Sequence, residues 1–135
     1  MSERPLLEAA ARAMELAYCP YSRLRVGAAL RAAGGGVFSG CNIENGSYGL
    51  TLCAERNAVS QALLAGHRAF EALAIVADSN NPLTPCGACR QVLAEFCTRD
   101  LPIYVSTSRN MTAVSRYTLG ELLPHAFRMN GEIDG

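Results

Sequence analysis

Neither sign of charge is in excess in this chain: twelve basic and twelve acidic side chains cancel over 135 residues, and the pI is about 6.7. With no basic block, the electrostatic footprint of a nucleic-acid binder is missing, which favours a small substrate. No apolar run approaches the roughly 20 residues that a bilayer crossing requires. The opening Met-Ser-Glu-Arg-Pro does not lead into the apolar segment of a secretory signal. No membrane partner is therefore expected, and the expected location is the cytoplasm. Repeats, low-complexity tracts and linkers are also lacking. Half of the residues are hydrophobic, which fits one domain with a single core over residues 1–135, with 130–135 as a loose tail. Histidine is scarce: His67 and His125 are the only two, and neither lies beside other metal-binding residue types.

Cysteine is better represented. Six cysteines would permit three disulfides, but a chain of this size without a secretory signal is expected to keep its thiols reduced. Cys19, Cys41 and Cys97 then read as small apolar packing groups. The other three are set differently. Cys53-Ala54-Glu55-Arg56 is followed some thirty residues later by Pro85-Cys86-Gly87-Ala88-Cys89-Arg90-Gln91. Three thiolates can hold a zinc ion and leave its fourth position open to water, the usual division in catalytic zinc sites. Bound zinc lowers the pKa of water from about 15.7 to about 7. Glu55, two residues from a ligand, stands where it could accept that proton and return it to a leaving nitrogen. Cys-x-Glu with Pro-Cys-x-x-Cys is the three-cysteine form of the zinc-dependent base deaminase signature. One Zn2+ per chain is expected on Cys53, Cys86 and Cys89.

Beyond these motifs the chain resembles the small cytidine deaminases that act on free nucleosides. The resemblance runs through Asn42-Ile43-Glu44-Asn45, Tyr48 to Arg56, Pro85 to Gln91, and Leu122-Leu123-Pro124 with Phe127. It implies hydrolytic deamination of cytidine and deoxycytidine, with zinc-bound hydroxide attacking C4 and Glu55 as the proton shuttle. It also implies that Asn42 and Glu44 bind the ribose hydroxyls and that backbone groups around Ala54 and near Cys86 fix the base edge. Members are typically homotetramers with shared active sites, and Tyr48 and Phe127 would by position be the residues lent to a neighbour. One departure is visible. Relatives usually carry phenylalanine where Tyr21-Ser22-Arg23-Leu24-Arg25-Val26 has Leu24, and leucine at the pocket wall cannot stack on a base.

Local patterns indicate how these residues are carried. Leu7, Ala10, Met14 and Ala17 recur at helical spacing between Ser2 and Ala17. Val26 to Arg31 and Val37 to Ile43 read as a hairpin around Gly34-Gly35-Gly36. Thr51 is the expected cap of a helix running through Cys53 to Ala65, with Gly66 as terminator. Ala72 to Ala77 reads as a central strand. Thr84-Pro85 signals the start of a helix from Cys86 to Thr98. Strands over Pro102 to Ser106 and Met111 to Arg116 follow, and Thr118-Leu119-Gly120-Glu121 reads as a capping box. Strands alternating with helices after a hairpin indicate an α/β fold, a three-layer α/β/α sandwich around a mixed sheet of about five strands.

Three thiolates give zinc a formal charge of −1, which opposes acidification of its water. Helix N-termini and a nearby arginine would relieve this. Arg56 is the favoured arginine, with Arg90 evenly balanced between that role and surface charge. Two other readings compete. A relative acting on a nucleoside antibiotic or a polynucleotide is opposed by the Asn42–Glu44 pair and the neutral charge. A purely structural zinc staple would need a fourth protein ligand, for which Cys41 is the candidate, and would have no use for Glu55.

Overall fold

The structure, a computed structural model, describes residues 2–129; the expected tail over 130–135 lies outside the described residues. Its elements in chain order are α1 (Arg4–Met14), β1 (Val26–Ala32), β2 (Val37–Cys41), α2 (Ala54–Leu64), β3 (Phe70–Ala77), α3 (Gly87–Phe96), β4 (Pro102–Thr107), β5 (Asn110–Thr118) and α4 (Leu119–Leu122). The five strands form one sheet in the order β2-β1-β3-β4-β5. β1 is antiparallel to both β2 and β3, β4 is antiparallel to β5, and β3 and β4 run parallel. A parallel pair cannot be closed by a tight turn. Here the connection is the segment that contains α3, and that requirement brings the Cys86–Cys89 helix onto the sheet.

Period-two alternation sorts the strand side chains into two cores. Ala28, Leu30, Leu73, Ile75, Ile103 and Val105 point to the side covered by α2, α3 and α4. Ala29, Ala72, Ala74 and Val76 point the other way, against Leu6, Leu7, Ala10 and Met14 of α1. The α1 side is thus lined largely by alanine, and α1 lies close to the sheet. At Gly27 the approach is so tight that an added Cβ would come within 1.9 Å of the Ala10 carbonyl oxygen. The expected three layers and mixed five-stranded sheet are both found.

Several element ends differ from the sequence reading. α1 stops at Met14 because the next residues tighten, with Leu16 and Ala17 amides bonding the Ala13 and Met14 carbonyls three residues back. β2 ends at Cys41, and Ile43 instead makes single bridges to Tyr18 and Leu52. The cap of α2 is Cys53 rather than Thr51, and the cap of α3 is Cys86, which leaves Pro85 just outside the helix. Other features follow the sequence closely. Gly34 and Gly35 take positive φ in the hairpin. Gly66 closes α2 at φ 95°, its amide bonding Leu63 while the His67 amide reaches Ala62, a paired closure that glycine favours. Thr118 and Glu121 form both halves of the capping box.

Candidate active site

The carboxyl ends of β2 and β3 and the start of β1 lie at one end of the sheet, with Gly27 opposite Cys41 and Val26 opposite Ala77. The crevice outside such strand ends is where open α/β sheets bind ligands. The N-termini of α2 and α3 meet there. Cys53 and Cys86 are their N-caps, with extended backbone (φ −75°, ψ 152° and φ −67°, ψ 168°), and neither makes a side-chain cap bond. Two reciprocal backbone bonds of 2.9 Å between Ile43 and Leu52 fix the strand-like approach to Cys53. Cys89 lies one turn into α3, so its sulfur falls on the same side as that of Cys86.

The three sulfurs converge. Cys53 Sγ lies 4.0 Å from Cys86 Sγ, which lies 3.5 Å from Cys89 Sγ, and all three fall within 4.8 Å of one another. A tetrahedral zinc with Zn–S bonds of about 2.3 Å separates its sulfurs by about 3.8 Å, so this spacing fits the ion. Among the described residues no other His, Cys, Asp or Glu joins the group. Cys41 stands outside it, in a separate cleft of about 470 Å³ between α1, β2 and α2 that holds none of the three ligands. His67 packs against Phe38 at 5.0 Å between ring centroids. All six cysteines are free thiols.

Local charge matches that chemistry. Arg56 Nη2 donates to Cys53 Sγ at 3.6 Å and to the Thr51 carbonyl at 3.1 Å. The Cys53 thiol is pushed down to about 5, first by its hydrogen bond with Cys89 and then, against the opposing effect of burial, by Arg56 and Cys86. Cys89 is raised by the same bond and by its burial. The pull on Cys53 favours its thiolate form, the form in which cysteine binds a metal ion. Arg90 sends nothing to sulfur: its donors go to the Pro85 and Leu122 carbonyls and to Thr84 Oγ1.

Glu55 is 6% exposed in the first turn of α2. Burial is the main reason its carboxyl titrates above the usual carboxylate range; its own backbone amide, Cys89 and Arg56 act in the opposite sense. It lines a cavity of about 210 Å³ together with Cys53, Cys86, Ala54, Asn42 and Glu44. Leu24 and Leu83 also line that cavity, and none of its lining residues is aromatic. The polar pair is engaged within the chain as well. Asn42 Oδ1 accepts from the Val26 amide at 2.9 Å and its Nδ2 donates to the Leu24 carbonyl at 2.8 Å. Glu44 accepts from the Tyr21 and Ser22 amides and, at 2.5 Å, from Ser22 Oγ. These bonds satisfy backbone groups at the start of β1 and just ahead of it, and they hold Leu24 at the cavity wall.

Tyr48 and Phe127 are not brought to the cavity of their own chain. Tyr48, 76% exposed, stands in an adjoining hollow, edge-to-face with Tyr21 at 6.0 Å, and Phe127 is 67% exposed. Ser22, Thr51, Leu83 and Thr84 also line the cavity, and the sequence reading assigned none of them to the site. Ser22 had one available signal, its place two residues before Leu24; the loop residues Leu83 and Thr84 had none beyond adjacency to Pro85.

The model of the cytidine and deoxycytidylate deaminase zinc-binding region matches residues 1–105. The chain belongs to this deaminase family. It is 47% identical over 127 residues to a cytidine deaminase of Sporosarcina psychrophila, covering 94% of this chain and 92% of that protein. To a cytidine deaminase of Halalkalibacterium halodurans it is 49% identical over 127 residues, covering 94% and 95%. The crystal structure of a cytidine deaminase from Burkholderia pseudomallei superposes with a TM-score of 0.88 at 47% identity, covering 94% of this chain and 100% of that one. As a deaminase-family member the chain carries a zinc-binding domain, and the Cys53, Cys86 and Cys89 cluster is the one positioned to hold the metal.

Proposed function

We propose that the protein catalyses the zinc-dependent hydrolytic deamination of cytidine and deoxycytidine to uridine and deoxyuridine, releasing ammonia. The observation that carries this reading is the convergence of three sulfurs at the wall of the cavity that buried Glu55 lines together with Cys53 and Cys86. Cys53, Cys86 and Cys89 would hold a zinc ion, which would supply a water acidified to near neutrality. Glu55, buried in the first turn of α2 beside those ligands, would take a proton from that water as its oxygen attacks C4. Glu55 would pass that proton to N3 and then carry the second proton of the same water to the departing amine, so that the C4–N bond breaks as the attacking oxygen becomes the carbonyl of the product. Arg56 offsets sulfur charge at Cys53. Leu24 and Leu83 bound the base side of the cavity, backbone groups at Ala54 hold the base edge, and Asn42 and Glu44 face the sugar.

A homotetramer that lends Tyr48 and Phe127 to neighbouring sites belongs to the same proposal. It is supported by the exposure of both rings and of Leu16 and Leu64. So does a cytoplasmic location, supported by six free thiols; no helix among the described residues is long and apolar enough to cross a membrane.

Ultraviolet-monitored turnover of cytidine by the wild type and by Glu55→Gln, with zinc measured in both, tests the reading. Both proteins should carry full zinc, and the variant should lose at least about 10²–10⁴ in rate. A variant that kept its activity would remove Glu55 from the proton path.

A further inference from the structure

The segment after α4 carries Phe127 and is held to the metal-bearing helix mainly by polar bonds. Leu122, Leu123 and Ala126 pack on the core, but Phe127 and Met129 are exposed. Two consecutive residues of α3, directly after Cys89, fasten it. Arg90 Nη1 donates to the Leu122 carbonyl at 2.7 Å. Gln91 Nε2 donates to the Phe127 carbonyl at 2.8 Å. Arg128 Nη1 reaches back to the Cys97 carbonyl at the end of the same helix, at 3.2 Å.

Arg90 has a second set of partners. Its Nε donates to the Pro85 carbonyl at 2.6 Å and its Nη2 to Thr84 Oγ1 at 3.1 Å, the two residues immediately ahead of Cys86. A guanidinium is planar and presents five donors in a fixed fork. Acceptors bound to different arms of that fork cannot drift apart without breaking a charge-assisted bond, which is about twice as strong as a neutral one. Counter-charge for sulfur is a different task, and Arg56 performs it.

We propose that Arg90 is a positioning residue that fastens the Thr84–Cys86 loop to the Leu122–Phe127 turn, so that a metal ligand and the segment carrying Phe127 keep their places together. It acts through those two segments and lines no part of the cavity that Glu55 shares with the cysteines. The inference rests on the zinc-site reading above. Its test needs no substrate, so absence of cytidine turnover by the wild type would strike the deaminase reading and leave this measurement standing.

The experiment is backbone hydrogen exchange on the full chain, with and without zinc, together with zinc release to a chelator. Arg90→Gln should raise exchange in 84–86 and in 122–127 together, by about tenfold, because both segments lose a tether of local opening. Zinc release should quicken by about 10–100-fold, the usual scale for groups that support metal ligands. Arg90→Lys, which keeps the charge but not the fork, should loosen both segments in the same way. Should Arg90→Gln fail to fold, Thr84→Val, which severs only the 3.1 Å bond, carries the test with a smaller joint rise. Faster exchange in one segment alone, unchanged zinc release, or full rescue by lysine would overturn the proposal.

Discussion

Leu24 lines the cavity that holds Glu55, on the side proposed to receive the base. Its amide is held by Ser22 Oγ and its carbonyl by Asn42, so a replacement would be presented in the same place. An aromatic ring there could stack on a pyrimidine, an arrangement worth about 0.5–1.5 kcal/mol beyond buried area. Leu24→Phe should therefore tighten cytidine binding several-fold with little change in turnover, as read from KM and kcat. Unchanged or weaker affinity would show that the aliphatic wall already fits the base. At this scale the sequence was most informative where chemistry is concentrated in a few neighbouring residues. Cys53, Glu55, Cys86 and Cys89 could be identified from spacing and type alone, and Arg56, one turn from its sulfur, could be anticipated. Arg90 could not, because two of its three partners are main-chain oxygens, one of them 32 residues away, and a carbonyl has no identity in a sequence. Ser22 was hidden for a different reason: its partner, the Glu44 carboxylate, is 22 residues away and met only across a loop.

Among the elements, α2 shows how a packing contact governs the site. It lies on β2 with almost no clearance at Gly40, where an added Cβ would sit 2.6 Å from the Ala58 nitrogen and 2.7 Å from the Ala54 oxygen. Both are backbone atoms of the helix that begins with Ala54 and Glu55, so relief requires the whole N-terminal end to move. Overpacking of this kind costs about 1–3 kcal/mol, and displacements near 1 Å at reacting groups cost about 100-fold in rate. Gly40→Ala should thus lower kcat/KM far more than its melting temperature would suggest, whereas Gly49→Ala, which meets nothing within 4 Å, should leave both near wild type. Equal, small effects from the two substitutions would mean that α2 can slide without disturbing Glu55. Element types were legible from periodicity, but the caps of α2 and α3 were not. Thr51 and Thr84 have the usual capping chemistry, yet at both positions the helix starts two residues later, on a cysteine. Convergence of the two helix starts on the sulfur cluster prevailed over local hydrogen-bonding preference, as expected where a site rather than an isolated helix sets the geometry.

For the whole molecule, the decisive question is where Tyr48 and Phe127 go. Neither ring lines the Glu55 cavity of its own chain and both are exposed, an arrangement that leaves large apolar surface in water unless another copy covers it. The Arg90 and Gln91 tethers hold the Phe127 backbone firmly even though its ring has little contact, which suits a residue serving a neighbour. If sites are shared, two inactive chains can repair each other. Glu55→Gln supplies an intact Phe127, and Phe127→Ala supplies an intact Glu55. Mixed in equal amounts, dissociated and reassembled, they place a sound glutamate beside a sound neighbouring ring at about a quarter of the sites of a closed, symmetric assembly. The reassembled mixture should recover activity on that order and sediment as a tetramer, while each variant reassembled alone should not. A mixture no better than its parents, or an active species sedimenting as a monomer, would assign Phe127 to its own chain and leave each cavity complete by itself.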